Sequence, residues 1–179
     1  MAKYVAFLRG VNVGGRIAKM DTLIEVFESL KLKNVRTFIQ SGNVIFETAT
    51  KNSSALRDKI EKKLESALGY EVKVIFRTIE EIESIIKLNP FKDKILNEDT
   101  RLFIALLYNA PGKEIKNLVD SFNNKKEYYS LVNNEVYCFI HRDKKKGFFS
   151  LLNLEKRLNI PLTTRQITTL KRLNILLNQ

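Results

Sequence analysis

Residues 35–48 read VRTFIQSGNVIFET: two runs rich in β-branched and aromatic side chains, Val35 to Gln40 and Asn43 to Thr48, that meet at Ser41-Gly42. Glycine takes positive φ without steric cost, so this spacing predicts a β-hairpin turned at Ser41-Gly42. A hairpin here constrains both flanks. Upstream, Met20, Leu23, Ile24, Phe27 and Leu30 recur at helical spacing, with Thr22 and Glu25 in capping-box spacing, and Tyr4 to Leu8 is an apolar run of strand length. Downstream, Ser53 or Ser54 opens a helix whose inward face is Leu56, Ile60, Leu64, Ala67 and Leu68; Gly69 ends it, and Glu71 to Arg77 is again strand-like. The order β-α-β-β-α-β is that of the ferredoxin-like unit, two helices on one face of a four-stranded antiparallel sheet.

Further along, Thr78 and Glu81 open a short helix through Leu88, and Asn89-Pro90 stops it because the residue before proline avoids helical geometry. After a polar linker the pattern repeats. Arg101 to Tyr108 reads as strand, Lys113 to Phe122 as helix, and Tyr128 to Val132 with Glu135 to Ile140 as a second hairpin around Asn133-Asn134. Phe149 to Leu158 is helical, Thr163 to Ile167 a short strand and Leu170 to Leu177 a closing helix. The predicted fold class is therefore α+β: two tandem ferredoxin-like (βαββαβ) halves with antiparallel sheets and extra helices. The first domain is expected over 1–89 with its trailing helix, the second over 90–179.

A chain of 179 residues with 44% hydrophobic side chains can bury a core without a disulfide or metal staple. Its one cysteine, Cys138, cannot form an internal disulfide, and its one histidine, His141, cannot build a multi-histidine site, so no metal is expected. The start, MAKYVAFLRG, lacks the apolar stretch and cleavage site of a signal peptide, and no run approaches the ~20 apolar residues that span a bilayer. A cytoplasmic protein without a membrane partner is expected. The net charge is +11, from 31 Lys+Arg against 20 Asp+Glu, and residues 141–172 alone carry nine basic side chains against Asp143 and Glu155. Such a patch attracts phosphates, whether on nucleic acid, a nucleotide or a membrane surface.

The stretch Arg9-Gly10-Val11-Asn12-Val13-Gly14-Gly15-Arg16 holds three of the seven glycines. It falls short of a P-loop, because Arg16 and Ile17 stand where Lys and Ser/Thr would be and the helix starts about five residues too late to present its N–H groups to phosphates. What remains is a backbone nest beside two guanidinium groups, suited to a carboxylate or phosphate. The alternative is a connection in which the glycines serve unusual φ alone. Ser41 and Asn43 add polar side chains at the hairpin turn, and the sequence leaves open whether that turn lies at the Arg9 end of the first strand. A His141-Asp143-serine triad finds no nucleophile elbow to support it, and Cys138 alternates with Val136 and Ile140 as a buried small side chain would. No complete catalytic signature exists, so neither a reaction nor a cofactor is assigned.

The segments Tyr4 to Gly15, Thr37 to Phe46, Asn89-Pro90-Phe91 and Thr163-Thr164-Arg165 together resemble domain-of-unknown-function family 1697, a mainly bacterial group. The resemblance implies an α+β fold of two ferredoxin-like halves and no established activity. Two departures stand out. Gly147-Phe148-Phe149 replaces a Ser-Lys-Leu-like stretch, and Gln166-Ile167-Thr168-Thr169 replaces Asn-Trp-Asn-Thr, so of the second-half motif only Arg165 carries over. The leading expectation is an anion site for a phosphorylated or carboxylated small molecule, built from Arg9, Gly10, Asn12, Gly14, Gly15, Arg16, Ser41, Asn43 and Arg165. The alternatives are a weak, non-specific nucleic-acid-binding module using Lys144, Lys145, Lys146, Arg157 and Arg172, and a structural or interaction protein without a ligand.

Overall fold

The computed structural model describes residues 1–39, 42–50, 53–142 and 153–178 of the chain. In order the elements are β1 (Ala2–Arg9), α1 (Met20–Ser29), β2 (Lys33–Thr37), β3 (Asn43–Thr48), α2 (Ser53–Leu68), β4 (Lys73–Thr78) and α3 (Ile79–Lys87). They are followed by β5 (Thr100–Leu107), α4 (Lys113–Asp120), β6 (Glu127–Val132), β7 (Glu135–His141), α5 (Leu154–Leu158), β8 (Leu162–Gln166) and α6 (Ile167–Leu177). The strands form two four-stranded sheets, ordered β2-β3-β1-β4 and β6-β7-β5-β8, with every neighbouring pair antiparallel. The chain divides into two compact units, Met1–Ile82 and Glu83–Gln179. That division passes through α3, whereas a break at 89/90 keeps the helix whole.

In the first unit β1 is central, and its apolar run serves both faces. Ala6 and Leu8 join the core beneath α1 and α2, together with Leu23, Phe27, Leu56, Ile60 and Leu64. Val5 and Phe7 point to the other face and are fully buried as well, which is why the strand lacks polar alternation. Phe46 of β3 anchors the helix-covered side: its ring lies 5.7 Å from Tyr4, 5.4 Å from Phe27 and 5.5 Å from Phe76. The last turn of α2 departs from the predicted inward face, with Ala67 exposed and Leu68 only half-buried.

Two helix starts contrast. At α3 the expected capping box forms reciprocally: Glu81 N–H donates to Thr78 Oγ1 at 3.2 Å and Thr78 N–H donates to Glu81 Oε2 at 2.7 Å. At α1 no box forms, because the cap is Lys19, which makes no side-chain cap bond, and Thr22 is already inside the helix. Thr78→Ala is therefore expected to lower stability by about 1 kcal/mol in urea denaturation, and Thr22→Ala to change it by less than about 0.5 kcal/mol.

The second unit builds its core from Ala105, Val136, Cys138 and Ile140 of the sheet against Ile115, Val119 and Phe122 of the α4 region and Leu154 and Leu158 of α5. On the opposite face the buried Tyr137 hydroxyl donates to the Ile85 carbonyl of α3 at 2.8 Å, and burial pushes that phenol well above its ordinary pKa. Of the helix expected from Phe149 to Leu158, residues 149–152 lie outside the described ones, and the described part is capped by Asn153 and runs over Leu154–Leu158. Ile167, read as a strand end, instead opens α6. Among the described residues no helix is long and apolar enough to cross a membrane.

Candidate anion-binding site

Between the end of β1 at Arg9 and the start of α1 at Met20 the chain winds through left-handed conformations at Gly10 (φ 80°), Asn12 (55°), Gly14 (60°) and Gly15 (82°). Asparagine tolerates this region and glycine adopts it freely, so the composition of the loop follows from its path. Asn12 Oδ1 accepts the Ala18 N–H at 2.9 Å, and the Arg16 N–H donates to the Val13 carbonyl at 3.1 Å, closing a turn about Gly14-Gly15. A Cβ added at Gly14 or Gly15 would meet no heavy atom within 4 Å, so the backbone there is open to approach. Arg16 folds back over the loop. Its Nη1 lies 3.6 Å from the Cβ position of Gly10, and its guanidinium stands 4.9 Å from the Tyr70 ring centroid. Tyr70 Oη is buried with no hydrogen-bond partner among the described residues. Sequence reading passed over Tyr70, whose only signal is an aromatic ring directly after the helix-ending Gly69.

The hairpin turn lies at this same end of the sheet. Leu8 N–H donates to the Gly42 carbonyl at 2.8 Å, and a Cβ at Gly42 would fall well inside the contact radius of Val11 Cγ2. The turn is longer than the two residues expected, because β2 already ends at Thr37. Phe38 N–H donates to the Asn43 carbonyl at 2.9 Å and Asn43 Nδ2 donates to the Phe38 carbonyl at 3.0 Å, so the fully buried Asn43 closes the turn from inside. Ile39 sits at φ 50°, a conformation costing roughly 1–2 kcal/mol for a side chain with Cβ. Ser41 lies outside the described residues.

Arg9 occupies a different environment from Arg16. It pairs in register with Lys73 of β4, whose ammonium bridges Glu71 at 2.8 Å and Glu61 at 3.4 Å. The Lys73 hydrogen bond and charge hold the exposed Glu71 carboxyl below its ordinary pKa, and the charge of Arg9 adds to the effect. Arg9 thus belongs to a strand-end charge cluster.

Arg165 belongs to the second unit and is nearly buried, at 8% exposure. Its Nη1 donates to Thr163 Oγ1 and to the Thr164 carbonyl, each at 2.8 Å, and desolvation pulls its pKa down to about 10. Arg77 holds the matching place in the first sheet, opposite Val5 as Arg165 is opposite Ile104, with Nη1 donating to the preceding carbonyl, that of Phe76, at 2.7 Å. Of the basic stretch, Lys144, Lys145 and Lys146 lie outside the described residues. Arg157 and Arg172 are exposed, and the Arg157 guanidinium lies 3.4 Å from the centroid of the Phe122 ring.

Cys138 is fully buried, and desolvation followed by the nearby Glu127 charge pushes its thiol far above the ordinary range. We expect a thiol reagent to modify native Cys138 about a hundredfold or more slowly than the guanidinium-unfolded chain, as read by absorbance. His141 is exposed at the end of β7, its ring 5.4 Å from Phe139 and 6.4 Å from Tyr128. Among the described residues no three His, Cys, Asp or Glu side chains gather as a metal site would require.

No curated protein matches the chain at a significant level. Among solved structures it is similar to the conserved bacterial protein SP0830 from Streptococcus pneumoniae, with a TM-score of 0.80 over 100% of this chain and 99% of that one. At 19% identity this likeness concerns the fold alone. A protein family of unknown function matches residues 1–137, which include both the glycine loop and the hairpin turn. The chain belongs to that family, DUF1697.

Proposed function

We propose that the first unit binds a small anion, a phosphorylated or carboxylated metabolite, at the loop formed by Gly10 to Arg16. The observation that carries this reading is the exposed Arg16 guanidinium held over Gly10 and the Tyr70 ring, next to open backbone at Gly14-Gly15. The Tyr70 hydroxyl is buried without a hydrogen-bond partner among the described residues, so Tyr70→Phe removes it without breaking a hydrogen bond and leaves the ring beneath Arg16 in place. Open backbone at Gly14-Gly15 allows close approach, and the guanidinium offers a planar fork for two oxygens. Gly42 and Asn43 support the loop from below; Arg9 contributes field at the strand end. The strand orders β2-β3-β1-β4 and β6-β7-β5-β8 likewise support reading each unit as ferredoxin-like.

The test is a thermal-shift and calorimetric comparison of phosphate, nucleoside monophosphates and dicarboxylates on the wild type, Arg16→Ala, Arg16→Lys and Tyr70→Phe. Arg16 is exposed, so its loss is expected to leave melting within about 0.5–1 kcal/mol of wild type, the worth of the ring contact. The affinity of the responsive anion should fall roughly 10- to 100-fold in Arg16→Ala and about tenfold in Arg16→Lys, which keeps the charge and loses the fork. Equal response in all four proteins would make the loop a structural connection.

A further inference from the structure

The other end of β1 lies roughly 20–25 Å along the strand from the glycine loop. Here the end of α1, the start of β2, the end of β3 and the first turns of α2 enclose a groove of about 540 Å³, within the roughly 300–1,000 Å³ usual for small-molecule sites. Its floor is the edge of the core, with Leu32 and Leu56 buried and Leu30 half-buried. The rim carries the exposed Lys31, Lys33 and Lys59, none of which forms an ion pair among the described residues. Against these three ammonium groups the groove offers, among the described residues, one carboxylate, Glu47, and the first turn of α2 holds no acidic residue. Glu47 also pairs in register with Lys3 and Lys33 on its two neighbouring strands. An apolar floor beneath a positive rim complements one kind of occupant.

We propose that this groove binds a small amphipathic carboxylic acid, its hydrocarbon body laid on the three leucines and its carboxylate held by Lys31, Lys33 and Lys59. The preference rests on two separable terms: area removed from water, worth roughly 25 cal/mol per Å², and charge-assisted hydrogen bonds at the rim. Each should fail independently when its half of the ligand is removed.

The experiment is amide chemical-shift mapping of the full chain with octanoate, octylammonium, 1-octanol and acetate as probes. Octanoate is expected to shift the amides of 30–33, 48–50 and 55–59, with octylammonium and acetate leaving them unmoved and octanol weaker than octanoate. In the double variant Lys31→Ala/Lys59→Ala octanoate affinity should fall about tenfold or more. Ala55→Trp places a ring over the exposed groove wall and should abolish binding; melting curves verify that both variants fold. Arg16→Ala should keep the octanoate shifts of 30–33, 48–50 and 55–59 while losing any at Gly10 to Arg16, which separates this groove from the loop. Octylammonium acting as octanoate does would reduce the groove to an unselective apolar surface and overturn the proposal. Acetate doing as well as octanoate, or shifts confined to other amides, would overturn it equally.

Discussion

Gly42→Ala is expected to destabilise the protein by about 2–4 kcal/mol in urea denaturation, because two costs coincide at one atom. The residue sits at φ 68°, where a Cβ is strained, and that Cβ would press into Val11 Cγ2 and lie 3.2 Å from Leu8 Cβ. Neither neighbour has room to withdraw: Val11 and Leu8 are 4% and 2% exposed. Removing the obstructing methyl groups should recover the steric part. In a double-mutant cycle Val11→Ala and Gly42→Ala should combine with at least about 1 kcal/mol less loss than the sum of the single changes. Gly14→Ala, which meets only the conformational cost, should lose about 1 kcal/mol. A Gly42→Ala effect no larger than that of Gly14→Ala would mean that the hairpin turn does not abut the glycine loop.

Phe46→Ala should cost about 3–5 kcal/mol, the largest loss expected from a single side chain here. The residue is fully buried, and its ring contacts Tyr4, Phe27 and Phe76 join three strands to α1. Alanine would leave a cavity that the two sheet rings, Tyr4 and Phe76, and Phe27 of α1 cannot close. Phe46→Leu, which keeps most of the volume but loses the ring geometry, should fall between about 1 and 2 kcal/mol. A loss below about 1 kcal/mol for the alanine variant would show that these rings are not packed as a unit.

Both expectations trace to residues whose role was partly readable from the sequence. Periodicity locates β1, α1, β3, α2 and β4 because each presents its apolar side chains to one continuous core, and a helix that starts at Met20 excludes a P-loop geometry from the sequence alone. Turn chemistry was harder. Val35 to Gln40 reads as strand by composition, yet β2 ends at Thr37, since the buried Asn43 amide captures the Phe38 carbonyl and bends the chain into an Ile39 conformation that no propensity favours. The surroundings of Arg9 depend on the β1–β4 register, which places Lys73 opposite it and Glu71 close by, and no local pattern encodes that pairing. Tyr70 joins the loop only because α2 returns its C-terminal end to the strand end where Arg16 folds back. The groove at Lys31, Lys33 and Lys59 is likewise assembled from segments that sequence separates.

The central claim is that Arg16 and the glycine loop form an anion site. The most direct measurement is titration of the isotope-labelled 179-residue chain with inorganic phosphate, followed amide by amide. Saturable shifts concentrated at Gly10 to Arg16 and at Tyr70, absent from Arg16→Ala, are the predicted result. Shifts that spare this loop and fall instead around Arg157, Lys171 and Arg172 would contradict the account and assign the phosphate-binding surface to the second unit.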